Sequence, residues 1–452
     1  MTDRSDKSSR SQSSTREGHR STGGVSRRVL VQRAAAVVGG GAAAMLGGTP
    51  AASAQAPGAS PRPASRTFRA YVAFGRDASV QTLTLLPIGP RQVVVRTEAA
   101  QICYSTTRQG LGAVNVAQAV IPCHGGVGTV IEVGSSVERV EVGQRVIVAG
   151  QAQCGTCYNC LRGRADHCLR GNADGNPNGA IAEMRDGTKV AGFRAGCSEL
   201  MVAFETYCVP VVTSVSPVEL SVLADVGMVG LAATMTKARV EAGSDVVVLG
   251  CGPLGLSAVQ GARIQGAAQI IAVEPIRYRR ELALKLGATV ALDPNVEGNN
   301  LVARIQQLCR SKTSRVAGGG NTLPDLVVEA VGGDLFPPKA EVGPDPTGVL
   351  PLQQAWQLCS PVGQVVTTGV GHPPGAMVSF PAAQWANSSK THQPGNVAGA
   401  NSLRDLPRFV RLIEAGLFDA KALATATFPL ERAREAFQAA ADRTAVAAVV
   451  VP

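Results

Sequence analysis

Aromatic side chains are scarce in this 452-residue chain: two Trp, five Tyr and ten Phe make 4% of it. The basic residues of its main body are scattered and no RNA- or DNA-binding motif accompanies them, so a nucleic-acid partner is excluded. Charged residues are also few, 17% against 45% apolar, a globular balance that leaves no place for wholesale disorder. After residue 48 no apolar run is long enough to cross a bilayer, which speaks against a stable membrane anchor. No repeat with a period of about 20 to 50 residues is present either, which sets aside solenoids and propellers. What remains is a glycine-rich chain of a length that suits two or three packed units.

The formal charge of +10 is unevenly placed. Residues 1–54 hold eight Arg/Lys (Arg4, Lys7, Arg10, Arg16, Arg20, Arg27, Arg28, Arg33) against three acids (Asp3, Asp6, Glu17), which is +5 and leaves about +5 for the rest. The same stretch has the order of a secretory signal: a basic start, an apolar run over 34–48, and the small-x-small pattern Ala52-Ser53-Ala54. Ser26-Arg27-Arg28-Val29-Leu30 in front of the run resembles the twin-arginine signal. Residues 1–54 are therefore read as a signal peptide and 55–65 as a flexible Pro/Ala/Gly/Ser leader. The expected location is periplasmic or extracellular; a basic tail on a cytoplasmic protein is the alternative.

The body changes character along its length. "RQVVVRTEAAQICY", "VGTVIEVG" and "VGQRVIVAG" are short β-branched runs bounded by glycine and polar residues, as in an antiparallel β-rich unit. Further on, "SDVVVLG", "AQIIAVE", "ATVAL", "DLVVEAV" and "GQVVTTG" read as buried strands, with helical stretches such as "RRELALKLG" and "LVARIQQLC" between several of them. Strands alternating with helices imply a doubly wound parallel sheet, so the fold class is α/β.

At the first of those strands, "VVVLGCGPLGL" sets Gly250, Gly252 and Gly255 between strand and helix, with Pro253 and Leu254 inside the turn. Such glycines let the backbone approach a pyrophosphate, which then sits on amides at the helix N-terminus. Glu274 follows nineteen residues after Gly255, where a carboxylate accepts hydrogen bonds from ribose hydroxyls and repels a 2′-phosphate. NAD is favoured over NADP, with Arg279 a ribose or phosphate contact. The bland reading is a glycine turn that serves only helix–strand packing.

"CGTCYNCLRGRADHC" carries Cys154, Cys157, Cys160 and Cys168 at C-x2-C-x2-C-x7-C. Four thiolates at this spacing can wrap one Zn2+ tetrahedrally with sulfur at about 2.3 Å, leaving no position for water, which makes the site structural. Two local disulfides or a redox C-x-x-C are the alternatives. His167, beside a filled sulfur shell, reads as a surface residue.

With this lobe upstream of the glycine turn, and with "RRELALKLGA" and "PLERAREAF", the chain from about Arg66 onward resembles the zinc-dependent medium-chain alcohol dehydrogenase family. The resemblance implies a GroES-like β-rich catalytic domain over 66–225 with the zinc lobe at 151–170, a Rossmann NAD-binding domain over 226–397, and a return to the catalytic domain over 398–452. It also implies a homo-oligomer and a second, catalytic Zn2+. Its ligands map onto Cys103 of "QICYSTT", His124 of "IPCHGGVG" and Asp225 of "LADVGM", 25 residues before Gly250, with Ser105 as proton relay. Singly, these residues also read as a buried thiol, a core histidine and a helix-terminal carboxylate. Three protein ligands leave an open position, where the cation eases deprotonation of an alcohol.

Three positions depart from the family pattern, the first being Cys123 in place of the glycine before His124. Gly125 stands where a glutamate usually follows the histidine, and Arg108 where some members place a relay histidine. Cys123 is a competing sulfur next to His124, while Cys197, Cys208, Cys251, Cys309 and Cys359 read as buried thiols. The expected function is hydride transfer between an alcohol, or its aldehyde or ketone, and NAD. Free NAD is scarce outside the cytoplasm, so an exported protein is expected to retain its dinucleotide. The alternatives are a catalytically silent zinc- and NAD-binding relative, or an epimerase or isomerase that uses bound NAD transiently.

Overall fold

Four apolar runs unbroken by polar residues lie side by side in the cofactor half. Their strands, Asp245–Leu249, Gln269–Val273, Leu326–Glu329 and Gln364–Thr367, are almost wholly buried because helices cover both faces of the sheet. In this computed structural model, residues 66–151, 153–170, 179–238, 240–309, 323–337, 339–394 and 397–452 are described. All of them belong to the compact unit Pro63–Pro452. The expected signal and leader, residues 1–65, lie outside the described residues.

The sheet has six parallel strands in the order Val290–Leu292, Gln269–Val273, Asp245–Leu249, Leu326–Glu329, Gln364–Thr367, Thr391–Pro394. Chain order reverses between Asp245–Leu249 and Leu326–Glu329, and that switch point opens a crevice beyond the strands' carboxyl ends. "RRELALKLG" and "LVARIQQLC" lie in the helices Arg277–Leu286 and Leu301–Leu308. The sixth strand has the sequence THQP and was not foreseen. It is an exposed edge, where one face needs no apolar residue and a proline costs no ladder bond.

The β-rich half is built from two sheets. Thr67–Gly75, Asp77–Leu85, Ala180–Glu183, Lys189–Ala191 and Val116–Val120 close into a barrel. A second sheet runs Cys208–Pro210, Arg145–Val148, Gly126–Val133, Gln92–Gln101, Ala448–Val451, Ala426–Pro429, with Leu200–Phe204 also paired to Gln92–Gln101. The last strand therefore returns to the first half and pairs antiparallel with Ala100 and Gln101, just before Cys103. Helix Ala433–Ala441 reaches the barrel through Phe437, whose ring stacks on Tyr71 at 5.4 Å.

Two helices join the halves. Pro217–Leu223 starts at a capping box of Ser216 and Glu219, and the chain then bends by 51° into the helical stretch beginning at Val226. Gly230 lets that stretch settle against Pro253–Ile264, since a Cβ there would lie 2.2 Å from the Leu254 carbonyl oxygen. Asp225 occupies the bend. No single described helix is long and apolar enough to cross a membrane.

Candidate active site

The short turn after Gln92–Gln101 presents Cys103, Tyr104 and Ser105 to one wall of a cleft, and the glycine turn Gly250, Gly252, Pro253 and Leu254 forms the opposite wall. Ser105 Oγ lies 3.1 Å from Cys103 Sγ and 3.0 Å from His124 Nε2, so the hydroxyl bridges thiol and imidazole. Asp225 precedes the helix Val226–Ala232 but makes no capping bond with its side chain. Its Oδ2 is buried without a hydrogen-bond partner, a costly state for a carboxylate oxygen unless a cation answers it.

Electrostatics tie the three together. Burial, and then the Asp225 charge, push the Cys103 thiol well above its ordinary range. Burial holds His124 below its usual value, against the pull of Asp225, and so favours the neutral ring that can act as a ligand. Thiolate, imidazole and carboxylate are competent zinc ligands. By its chemistry this donor set, with an orphaned carboxylate oxygen, suits a divalent cation, but among the described residues only the four lobe cysteines form a group with all ligand atoms within 4.8 Å of one another.

The departures have local causes. Gly125 has φ +88°, its N–H donates to the Arg194 carbonyl at 2.8 Å, and a Cβ there would lie 2.2 Å from the Val148 carbonyl oxygen. A glutamate has no place on this backbone. Arg108 is exposed on the helix Thr107–Gly110. Cys123 is buried, its Sγ donating to the carbonyls of Gln101 and Gly125 at 3.6 Å each. All eleven cysteines are free thiols, and Cys197, Cys208, Cys251, Cys309 and Cys359 are buried.

In the lobe, the sulfurs of Cys154, Cys157, Cys160 and Cys168 all lie within 4.8 Å of one another. The pairs Cys154–Cys160 and Cys157–Cys168 are each 4.0 Å apart, close to the roughly 3.8 Å edge of a tetrahedron with 2.3 Å metal–sulfur bonds. Backbone N–H groups of Cys157 and Leu169 donate to Cys154 Sγ and Cys157 Sγ at 3.3 and 3.4 Å. The backbone N–H of Cys160, first among such bonds, brings the Cys157 thiol down to about 6. His167 turns to Asp166 at 3.5 Å, half exposed, and Asp166 also holds Lys237 at 3.3 Å.

On the cofactor wall, Gly250 takes φ +87°, and at Gly255 a Cβ would come within 1.8 Å of the Gly250 carbonyl oxygen. Gly252 instead faces open space, with Arg279 Nη1 3.9 Å from its missing Cβ. Glu274 accepts from Cys251 N at 2.6 Å and Ile276 N at 3.0 Å, which fixes its carboxylate beside the turn. Arg279 is buried; Nε donates to Tyr278 OH at 3.0 Å and Nη2 to the Ala445 carbonyl at 3.1 Å, which leaves Nη1 directed at the glycine turn.

One residue in this region escaped the sequence reading. Glu329 ends the strand next to the glycine turn and accepts from Val331 N and Gly332 N at 2.8 and 3.1 Å. Burial raises its pKa, and Oε2 has no partner. A carboxylate directly after the apolar run "LVV", at the switch point, was the available signal.

A β-barrel half with a four-thiol lobe, facing a Rossmann sheet across a shared cleft, defines a two-domain zinc-binding oxidoreductase. Residues 89–213 match the alcohol dehydrogenase GroES-like domain and residues 253–414 the zinc-binding dehydrogenase domain. Geraniol dehydrogenase of Castellaniella defragrans is 30% identical over 383 residues, 80% of this chain and 90% of its own. NDMA-dependent alcohol dehydrogenase of Amycolatopsis methanolica is 28% identical over 384 residues, 83% and 96% of the two chains. Among solved structures, benzyl alcohol dehydrogenase of Acinetobacter calcoaceticus shares the fold with a TM-score of 0.71 at 20% identity, covering 85% of this chain and 99% of that one. The chain belongs to the zinc-dependent medium-chain alcohol dehydrogenase family and is an oxidoreductase.

Proposed function

We propose that this protein interconverts a small alcohol and its carbonyl compound with a retained NAD. In this reading Cys103, His124 and Asp225 hold a catalytic zinc, and Cys154, Cys157, Cys160 and Cys168 a structural one. The observation that carries it is the bridge Ser105 makes between Cys103 and His124, beside an unpartnered Asp225 oxygen, with Cys103 and Ser105 lining the cleft shared with the glycine turn. Zinc in the first site supplies positive charge to a substrate oxygen. Ser105, exposed and within 3.0 Å of His124 Nε2, takes up the alcohol proton. Apolar Ile102 and Val226 wall the cleft beside it and limit water.

On the other wall, Gly252 gives the pyrophosphate close approach and Arg279 Nη1 meets it. Glu274 accepts from the ribose hydroxyls. Its fixed carboxylate disfavours a 2′-phosphate, which supports NAD over NADP.

Export and retention rest on the order of elements in residues 1–54 and on the scarcity of free NAD outside the cytoplasm. A twin-arginine route passes folded protein, so zinc and dinucleotide leave together and the lobe thiolates are already capped. A homo-oligomer, as the family resemblance implies, belongs to the same reading. The test is a denatured extract of the purified, extensively dialysed protein together with its zinc count. Near-stoichiometric NAD or NADH, two zinc ions per chain and alcohol–aldehyde exchange without added cofactor are expected. A cofactor-free preparation that turns over only with added NAD would reject retention, and a single zinc ion without alcohol-dependent nicotinamide reduction would reject the enzyme mechanism.

A further inference from the structure

Residues 442–445 run between two separate pieces of the cofactor half and bond to both. On one side, Tyr278 OH donates to the Arg443 carbonyl at 2.7 Å and Arg279 Nη2 to the Ala445 carbonyl at 3.1 Å. On the other side, the Arg443 guanidinium pairs with Asp334, both side chains only 16% exposed, and Lys339 Nζ lies 2.9 Å from the Asp442 carboxylate. Next to them Leu335 N donates to Tyr104 OH at 3.0 Å, and Arg443 sits 5.5 Å over the Tyr104 ring. The loop that starts at Lys339 is fastened further on, where Asn295 Nδ2 donates to the Val342 carbonyl at 2.7 Å, and it then lines the cleft through Gly343, Pro344 and Asp345.

Both partners of each cross-cleft bond cannot be kept if the halves part, because 442–445 continues into Ala448–Val451, a strand of the catalytic half. Arg443 also holds φ +59°, a left-handed conformation that a non-glycine residue keeps only where its surroundings over-determine it. Arg443 and Val446 line the same cleft as the glycine turn, so a molecule lying along that turn is bordered by the bonded segment.

We infer that residues 442–445, with Asp334 and Lys339, form a clamp that holds the halves closed and slows escape of the bound dinucleotide; the identity of that ligand rests on the function proposed above. The Asp334–Arg443 pair is its main element, since a largely buried, charge-assisted bond is worth more than an exposed one. Lys339, 70% exposed, adds less.

The test is the rate at which NADH leaves the purified full chain, followed by nicotinamide fluorescence after mixing with excess NAD. Arg443→Gly keeps the left-handed backbone and removes the guanidinium; Asp334→Asn removes the partner charge; Lys339→Ala loosens only the exposed end. Release from the first two should be roughly tenfold or more faster, as expected for loss of a charge-assisted bond, and from the third roughly twofold faster. Unfolding curves check the fold, and if Arg443→Gly does not fold, Asp334→Asn decides. Release at the parent rate in folded variants overturns the clamp, even if the parent itself releases slowly and retention stands. Fast release from the parent with still faster release from the variants upholds the clamp and sinks retention. No NADH signal in any of the proteins overturns both.

Discussion

Gly125 presses against the Val148 carbonyl so closely that a Cβ on it would lie 2.2 Å from that oxygen. The contact explains why the residue after His124 is not the glutamate usual in the family: the loop has turned to φ +88° and given its N–H to Arg194. Gly125→Ala should therefore cost about 2 kcal/mol or more, from the left-handed backbone and the overlap together. Gly125→Glu should lose stability in the same way and gain no turnover. Urea unfolding and kcat measure the two; a stable, faster Gly125→Glu enzyme would show that the loop is free to rearrange.

Cys103→Ala and His124→Ala should each abolish alcohol oxidation, roughly a thousandfold or more, since the charge they help to hold supplies several kcal/mol. Dinucleotide binding should persist in both, because the glycine turn and Glu274 belong to the other wall of the cleft. Zinc analysis should find one ion per chain fewer than in the parent. Full activity in either variant would remove these residues from the mechanism.

Cys157→Ser should release the zinc of the lobe alone. Cys157 is tied into the lobe, with Sγ 4.0 Å from Cys168 Sγ and accepting from Leu169 N. Structural zinc energy is folding energy, so residues 151–170 should become protease-sensitive. The ties of the lobe to the body, Asp166 to Lys237 and Ser402 Oγ to the Gln151 carbonyl, should weaken with it. An unchanged zinc count would refute the assignment.

What could be read from the sequence was local. The apolar runs, the glycine turn and the cysteine spacing each complete their physical argument within about twenty residues, as in "VVVLGCGPLGL" and its following Glu274. The assignment of Cys103, His124 and Asp225 to one site needed the family resemblance, because nothing nearby in sequence brings Asp225 to the bend where it lies. The clamp was not legible at all: Arg443 meets Asp334 across 109 residues and Tyr104 meets Leu335 across 231. The strand Thr391–Pro394 was missed because an exposed edge carries no apolar alternation.

On the proposal that Glu274 reads the ribose, Glu274→Ala should weaken NAD binding and relax discrimination against NADP by roughly tenfold, the worth of hydrogen bonds to a charged acceptor. Two effects are mixed in it: loss of the ribose acceptor, and release of Cys251 N and Ile276 N, which the carboxylate now holds. The ratio of the affinities of dinucleotide-stripped protein for the two cofactors separates them, since a loosened turn weakens both cofactors alike. An unchanged ratio would mean that another residue reads the ribose.

The entrance to the Rossmann sheet carries a pH-dependent strain. Asp245 begins the central strand, and burial, then the neighbouring Asp325 charge, raise it to about 6. Unfolded, it titrates near about 3.9. Between these values the folded chain binds the proton that the unfolded chain has lost, so this group's contribution to stability falls as pH rises through the window and stays low above it. Asp325→Asn removes the like charge while its side-chain oxygen can still accept from Asp245 N, a bond of 2.9 Å in the parent. The substitution should raise the melting temperature at pH 7.5 and change it little at pH 4.5, where Asp245 is largely protonated. The gain should be modest because Asp245 is only partly buried and solvent screens the pair. An equal shift at both pH values would mean that the effect comes from packing and not from repulsion between the two carboxylates.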